Sequence, residues 1–236
     1  MLLVIARINE RKRELAQHPF LLFLANREVD PAERMAFAPC LAPFVMGFSD
    51  VNVFGLRDEG SNDQLQKLVN VHSYEDAEHW PMYLDDLETL GCNAPTDLVS
   101  VLRTLWSDEC SRTRRLTYGL MNLVGLAAPA QRIALVEAIE ATGFVAWKGF
   151  LKAATDYTAA TGRELRYFGP EHAAMETGHA IGADDIDREL REITFADDDR
   201  EHVLAMVDSV FALFAGMMDE QLQYARSHRS PSPAAQ

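Results

Sequence analysis

The sequence predicts an all-α fold in a single domain of about seven helices. Three observations carry this. Apolar residues recur at steps of three and four along most of the 236-residue chain, the period of helices with one buried face. No alternating apolar–polar run persists, so no strands are expected. Helix openers and stoppers, such as Asp30-Pro31, Gly91, Ala128-Pro129 and Gly162, recur at helix-length intervals. With 48% hydrophobic residues, a chain of this length can bury one large core. No linker divides it. Residues 1–226 read as one domain, and 227–236 as a disordered tail of small residues.

The elements follow in order. Ile8 to Asn26 predicts a first helix, with Leu15, Phe20, Phe23 and Leu24 inward. Asp30 caps a second helix, with Pro31 at its first position. It continues to Leu56 and is kinked at Pro39 or Pro43. Asp63 to Leu90 predicts a third helix, stopped by Gly91. Pro95-Thr96 opens a fourth, through Trp106 and Tyr118 to Leu123. Ala128-Pro129 opens a fifth that runs to Thr161-Gly162. Gly169-Pro170 opens a short sixth helix that breaks near Gly182. A polar stretch from Ala183 to Asp199 holds another short helix. Arg200 to Arg226 is the last long helix, with Val203, Met206, Val210, Phe214 and Met217 on one side.

The net charge of -14 argues against a nucleic-acid groove or an anionic membrane as partner. Cys40, Cys92 and Cys110 show no metal spacing and no close pair in sequence, which fits a reducing cytoplasm. Met1 to Ala6 is apolar but too short for a signal sequence. No uninterrupted run reaches the roughly 20 apolar residues of a membrane span. The expected partner is a small molecule, and a homodimer is left open.

Polar residues break the apolar faces at three places. His172, Glu176 and His179 stand at i, i+4 and i+7, on one face of a helix. Imidazole and carboxylate together suit divalent iron, manganese or zinc. Upstream, His72, Glu75, Asp76 and His79 interrupt the inward stripe of the third helix. Glu140 sits in the apolar stripe Ile133, Val136, Phe144, Trp147 and Leu151 of the fifth. Buried acids and imidazoles are costly unless something satisfies them. Internal His–acid pairs would do so, and so would a metal. Three helices thus offer ligands for two metal ions, with either His72, Glu75 or Asp76 completing the first group.

This ligand order resembles that of the heme-oxygenase-like diiron oxidases, whose pattern is Glu-x6-His, then Glu, then His-x3-Asp/Glu-x2-His. His172, Glu176 and His179 match the last element, Glu140 the middle one and His79 the histidine of the first. The position seven before His79 is His72 rather than glutamate, a departure from the pattern. His18-Pro19-Phe20 and the Pro-started second helix also fit the group in outline. The resemblance implies a seven-helix heme-oxygenase-like bundle. It implies a metal set of His72, Glu75, His79, Glu140, His172, Glu176 and His179, binding two Fe(II) ions with dioxygen as co-substrate. The activity implied is oxidation or oxygenation of a small amino-acid-like or fatty-acid-like substrate in specialised metabolism.

Phe20, Phe23, Phe44, Met46, Phe48, Phe144 and Trp147 offer apolar walls for such a site. Glu140 is also a catalytic candidate. So is Asp50, the only charged residue between Met35 and Leu56, which could bind a substrate amine. Other readings remain open. A true heme oxygenase would use His18, a thiaminase-like hydrolase Cys110, and a non-catalytic binding protein would use the His–acid pairs only to fill polar gaps.

Overall fold

The computed structural model describes residues 1–176 and 192–228, and of Glu176 the backbone alone. Among these residues there are eleven α-helical segments, two short 3-10 turns and one π segment, and no strand. Where the sequence predicts a few long helices, prolines and turns cut several of them. The first becomes α1 (Leu2–Leu15) and α2 (Pro19–Ala25), because Pro19 disfavours helical geometry in the residue before it. His18 then caps α2, its Nδ1 accepting from the Phe20 amide at 3.2 Å. The second runs as α3 (Pro31–Met35), a 3-10 turn (Ala38–Leu41), α4 (Ala42–Asp50) and a π segment (Val51–Leu56). Pro39 and Pro43 fall where the pitch changes.

The third expected helix is α5 (Gln64–Asp76) and α6 (Trp80–Thr89), separated just before Pro81. The fourth is α7 (Leu98–Leu105), a 3-10 turn (Asp108–Cys110) and α8 (Ser111–Leu126). The fifth survives whole as α9 (Pro129–Thr161). It is ended by Gly162 at a φ of 73°, a left-handed conformation that glycine adopts without strain. α10 (Pro170–Glu176) follows. A Cβ on Gly169 would meet the Leu165 carbonyl oxygen at 1.8 Å, so the turn into α10 requires glycine. The last helix, α11 (Asp197–Ser227), starts before the predicted Arg200. Asp197, Asp198 and Asp199 in its first turn complement the helix dipole. The short helix expected after Ala183 falls mostly outside the described residues, as does the tail from 229 onward.

α9 is the central helix, packing against α1, α2, α3, α5 and α11. Its buried side chains include Ile133, Val136, Ile139, Val145, Phe150 and Tyr157. Phe150 stacks on Phe37 at 5.4 Å between ring centroids and meets Phe168 edge-on, also at 5.4 Å. Such pairs contribute about 0.5–1.5 kcal/mol each beyond their burial. Beside them Arg34, 1% exposed, reaches Asp156 and the Leu24 carbonyl, both at 2.9 Å. This ties α3 to α2 and α9. By length and composition two helical stretches, Pro31–Leu56 and Asp197–Ser227, could cross a membrane, where the sequence reading found none. Both bury apolar side chains in this core, and buried core helices have the same composition.

Candidate metal centre

α5 is locked in place before it reaches the site. Asp63 caps it, accepting from Leu65 and Gln66 amides at 2.8 and 3.0 Å. Gln66 donates to the Leu56 carbonyl at 2.8 Å and accepts from Arg132 of α9 at 2.8 Å. Arg57 donates to the hydroxyl and carbonyl of Ser73 at 3.0 and 2.9 Å. That is a structural role for Arg57, which as a sequence position could equally face solvent. These bonds fix the rotation of α5 about its axis and turn His72 inward.

His72, 1% exposed, is the centre of one polar group. Its Nε2 stands 3.2 Å from Asp76 Oδ2, one turn on, and 3.5 Å from Glu140 Oε1 on α9. Ligand atoms of these three side chains all lie within 4.8 Å of one another. Among the described residues the acid grouped with His72 and Glu140 is Asp76, four residues on, while Glu75 is half-buried beside them. The i, i+4 step superimposes side chains on a helix more closely than i, i+3 does here.

His79 departs from the expected helical stripe. It lies in the turn between α5 and α6, so the seven-residue step from His72 is not a helical repeat. Its partner comes from far along the chain. His79 Nδ1 meets His172 Nε2 at 3.0 Å. His172, 2% exposed, also places Nδ1 at 3.0 Å from the Tyr167 carbonyl. A carbonyl can only accept, so Nδ1 carries a proton, and in that tautomer the Nε2 lone pair is directed at His79. Trp147 and Tyr167 pack on His172 with centroids at 4.1 and 4.6 Å. Asp86 holds the segment that leads into α10, accepting from the Arg166 and Phe168 amides at 2.6 and 2.9 Å.

The two groups open into one cavity. Asp76, His79, Glu140 and His172 line it, together with Leu41, Phe44, Phe48, Ile139, Trp147 and Phe214. The donor set of imidazoles and carboxylates fits a divalent first-row metal. Of the expected apolar walls, Phe44, Phe48 and Trp147 are there. Phe20 is in the core instead, and Met46 and Phe144 are exposed. Asp50 is also exposed, at the end of α4, and the cavity is lined by its neighbour Ser49. It is therefore corrected from catalytic candidate to surface residue. The side chain of Glu176 and all of His179 lie outside the described residues.

The competing sites lie elsewhere. His18 caps α2 and its Nε2 stands 3.3 Å from Asp219, so it already has a structural task. Cys110 is buried next to Cys40 and Tyr224, away from the cavity lining. Asp76 was one of three alternatives in the sequence, and the i, i+4 step from His72 was the signal for it.

No family model matches the chain, and no curated protein matches it. Among solved structures, it is similar to the crystal structure of a domain of unknown function with a heme oxygenase-like fold from Shewanella denitrificans OS217. The TM-score is 0.62 at 16% identity, over 99% of this chain and 94% of that one. The chain has a heme oxygenase-like fold. At this identity the likeness speaks for the fold alone.

Proposed function

We propose that the chain is a non-heme, iron-dependent oxidoreductase that uses dioxygen on a small amino-acid-like or fatty-acid-like substrate. The observation that carries this reading is the meeting of Asp76, His79, Glu140 and His172 in one cavity with otherwise apolar walls. His72, Asp76 and Glu140 would hold one iron ion. His79 and His172 would hold a second, with Glu75, Glu176 and His179 completing the set as the resemblance implies. Bound iron supplies the one-electron chemistry that dioxygen requires. The chain's own residues supply position and dryness. The Tyr167 carbonyl fixes the His172 tautomer, so its Nε2 is ready as a ligand. Phe44, Phe48 and Trp147 exclude bulk water from the cavity.

Anaerobic loading with ferrous iron, followed by desalting and elemental analysis, tests the proposal. The wild type should retain iron. His172→Ala should lose a substantial share of it while keeping its helical circular dichroism. A wild type that retains none, or a His172→Ala protein with unchanged iron, overturns the assignment.

A further inference from the structure

Away from the histidine cavity, the 3-10 turn Ala38–Leu41 packs on the 3-10 turn Asp108–Cys110. Their contact buries Cys40 and Cys110 completely, in a cluster with Tyr224 of α11. The Cys40 thiol donates to the carbonyl of Glu109, the residue before Cys110, at 3.3 Å. Gln221 donates to Cys40 Sγ at 3.6 Å and to Thr113 at 2.8 Å, fixing the side chain on that flank. Both thiols are free. Cys40 and Cys110 meet in this cluster across the contact between the two turns. The Cys40 proton is held by the Glu109 carbonyl, which leaves the Cys110 sulfur as the attacking one of the pair.

We propose that Cys40 and Cys110 form a redox site, a dithiol that a peroxide closes to a disulfide. The Cys110 sulfur attacks one peroxide oxygen, the O–O bond breaks and water leaves, giving a sulfenic acid. The Cys40 sulfur then attacks Cys110, the S–O bond breaks and a second water leaves. Two thiols give up two protons and two electrons, and one hydrogen peroxide becomes two waters. The route in passes Tyr224, the third member of the buried cluster, in the last turn of α11. A pocket there is lined by Glu109, Glu220, Tyr224 and His228. The Tyr224 and His228 rings stack at 4.0 Å, and His228 stands 3.6 Å from Glu109. Tyr224 and His228 lie in and just beyond the last turn of the helix, the part of a helix that opens at least cost.

Closure acts at a distance. Cys40 is next to Leu41, which lines the histidine cavity, and Cys110 directly precedes α8. A covalent link between them staples the cavity wall to the start of α8. The site stands independently of whether the cavity binds iron.

The test uses the full chain with Cys92→Ser, which removes the one exposed thiol. The folded protein is treated with hydrogen peroxide, quenched, unfolded and alkylated. Loss of about 2 Da with no alkyl adduct, two adducts after dithiothreitol, and a Cys40–Cys110 cross-linked peptide are expected. The melting temperature should rise on oxidation and fall back on reduction. Two alkylated thiols after peroxide, or stepwise oxygen adducts without a cross-link, overturn the proposal. Cys40→Ser in the same background should accumulate oxygen adducts on Cys110 and never the 2 Da loss.

Discussion

Two pairs of inward-facing carboxylates share this helical scaffold and do different work. Asp86 and Glu220 each accept backbone amides: Arg166 and Phe168 for Asp86, Arg112 and Thr113 for Glu220. They fasten loop to helix and helix to helix. Asp76 and Glu140 instead face the His72 imidazole, and both line a cavity. Burial alone therefore does not mark a functional acid. What marks it is the His72 imidazole, 3.2 Å from Asp76 and 3.5 Å from Glu140. Of the four, only Asp76 and Glu140 stand out in the sequence as acids within an apolar stripe.

The sharpest test of this contrast is on metal. Asp76→Asn should lower ferrous-iron affinity by more than the about 10–100-fold typical of groups that only orient a ligand. Glu75→Gln should lower it less than Asp76→Asn does, since Asp76 is the acid grouped with His72 and Glu140. Titration under anaerobic conditions measures both. Equal losses would erase the distinction between the two neighbouring acids.

Stability should show the reverse pattern. Glu220→Gln and Asp86→Asn each weaken two hydrogen bonds to backbone amides, at a cost of about 1–3 kcal/mol. Iron content should be unchanged in Glu220→Gln. Urea denaturation gives the first number and elemental analysis the second. A Glu220→Gln protein that keeps its stability would show that the amides are satisfied in another way.

The smallest effect is on pH. Burial holds the Asp86 and Glu220 carboxyls above their ordinary values of 3.8 and 4.5, although their amide donors pull the other way. The folded state therefore binds these protons more tightly than the unfolded chain. Their contribution is fully present below the ordinary values and is lost as pH rises through the raised ones. Wild type should thus lose stability relative to Asp86→Asn as pH rises from about 4 through the weakly acidic range. Urea midpoints of the two proteins across that range give the difference. A gap that widens in the wild type's favour as pH rises would reverse the sign.

Much of the scaffold was legible along the chain. Ala128-Pro129 and Gly162 bracket α9, and Gly169-Pro170 opens α10, as read. The splits were legible too, though unread. Pro19 ends the helix before it, and Pro81 separates α5 from α6. The candidate site was legible as a set of residue types. His72, His79, Glu140 and His172 all face one region, but their grouping was not visible. The reading took His72 and His79 as one helical stripe. The fold instead gives His72 to Asp76 and Glu140, and His79 to His172, 93 residues away.

The sequence by itself determined the all-helical class, the course of α9 and the chemical kinds of side chain that turn inward. These depend on period, caps and prolines, which act over a few residues. Only the tertiary structure decided which inward faces meet. Helical spacing says that two side chains share a face, but the rotation of α5 is fixed by Gln66 and Arg132, and the seat of His172 by the Tyr167 carbonyl and Trp147. Those contacts join positions far apart in the chain, and no local pattern encodes them.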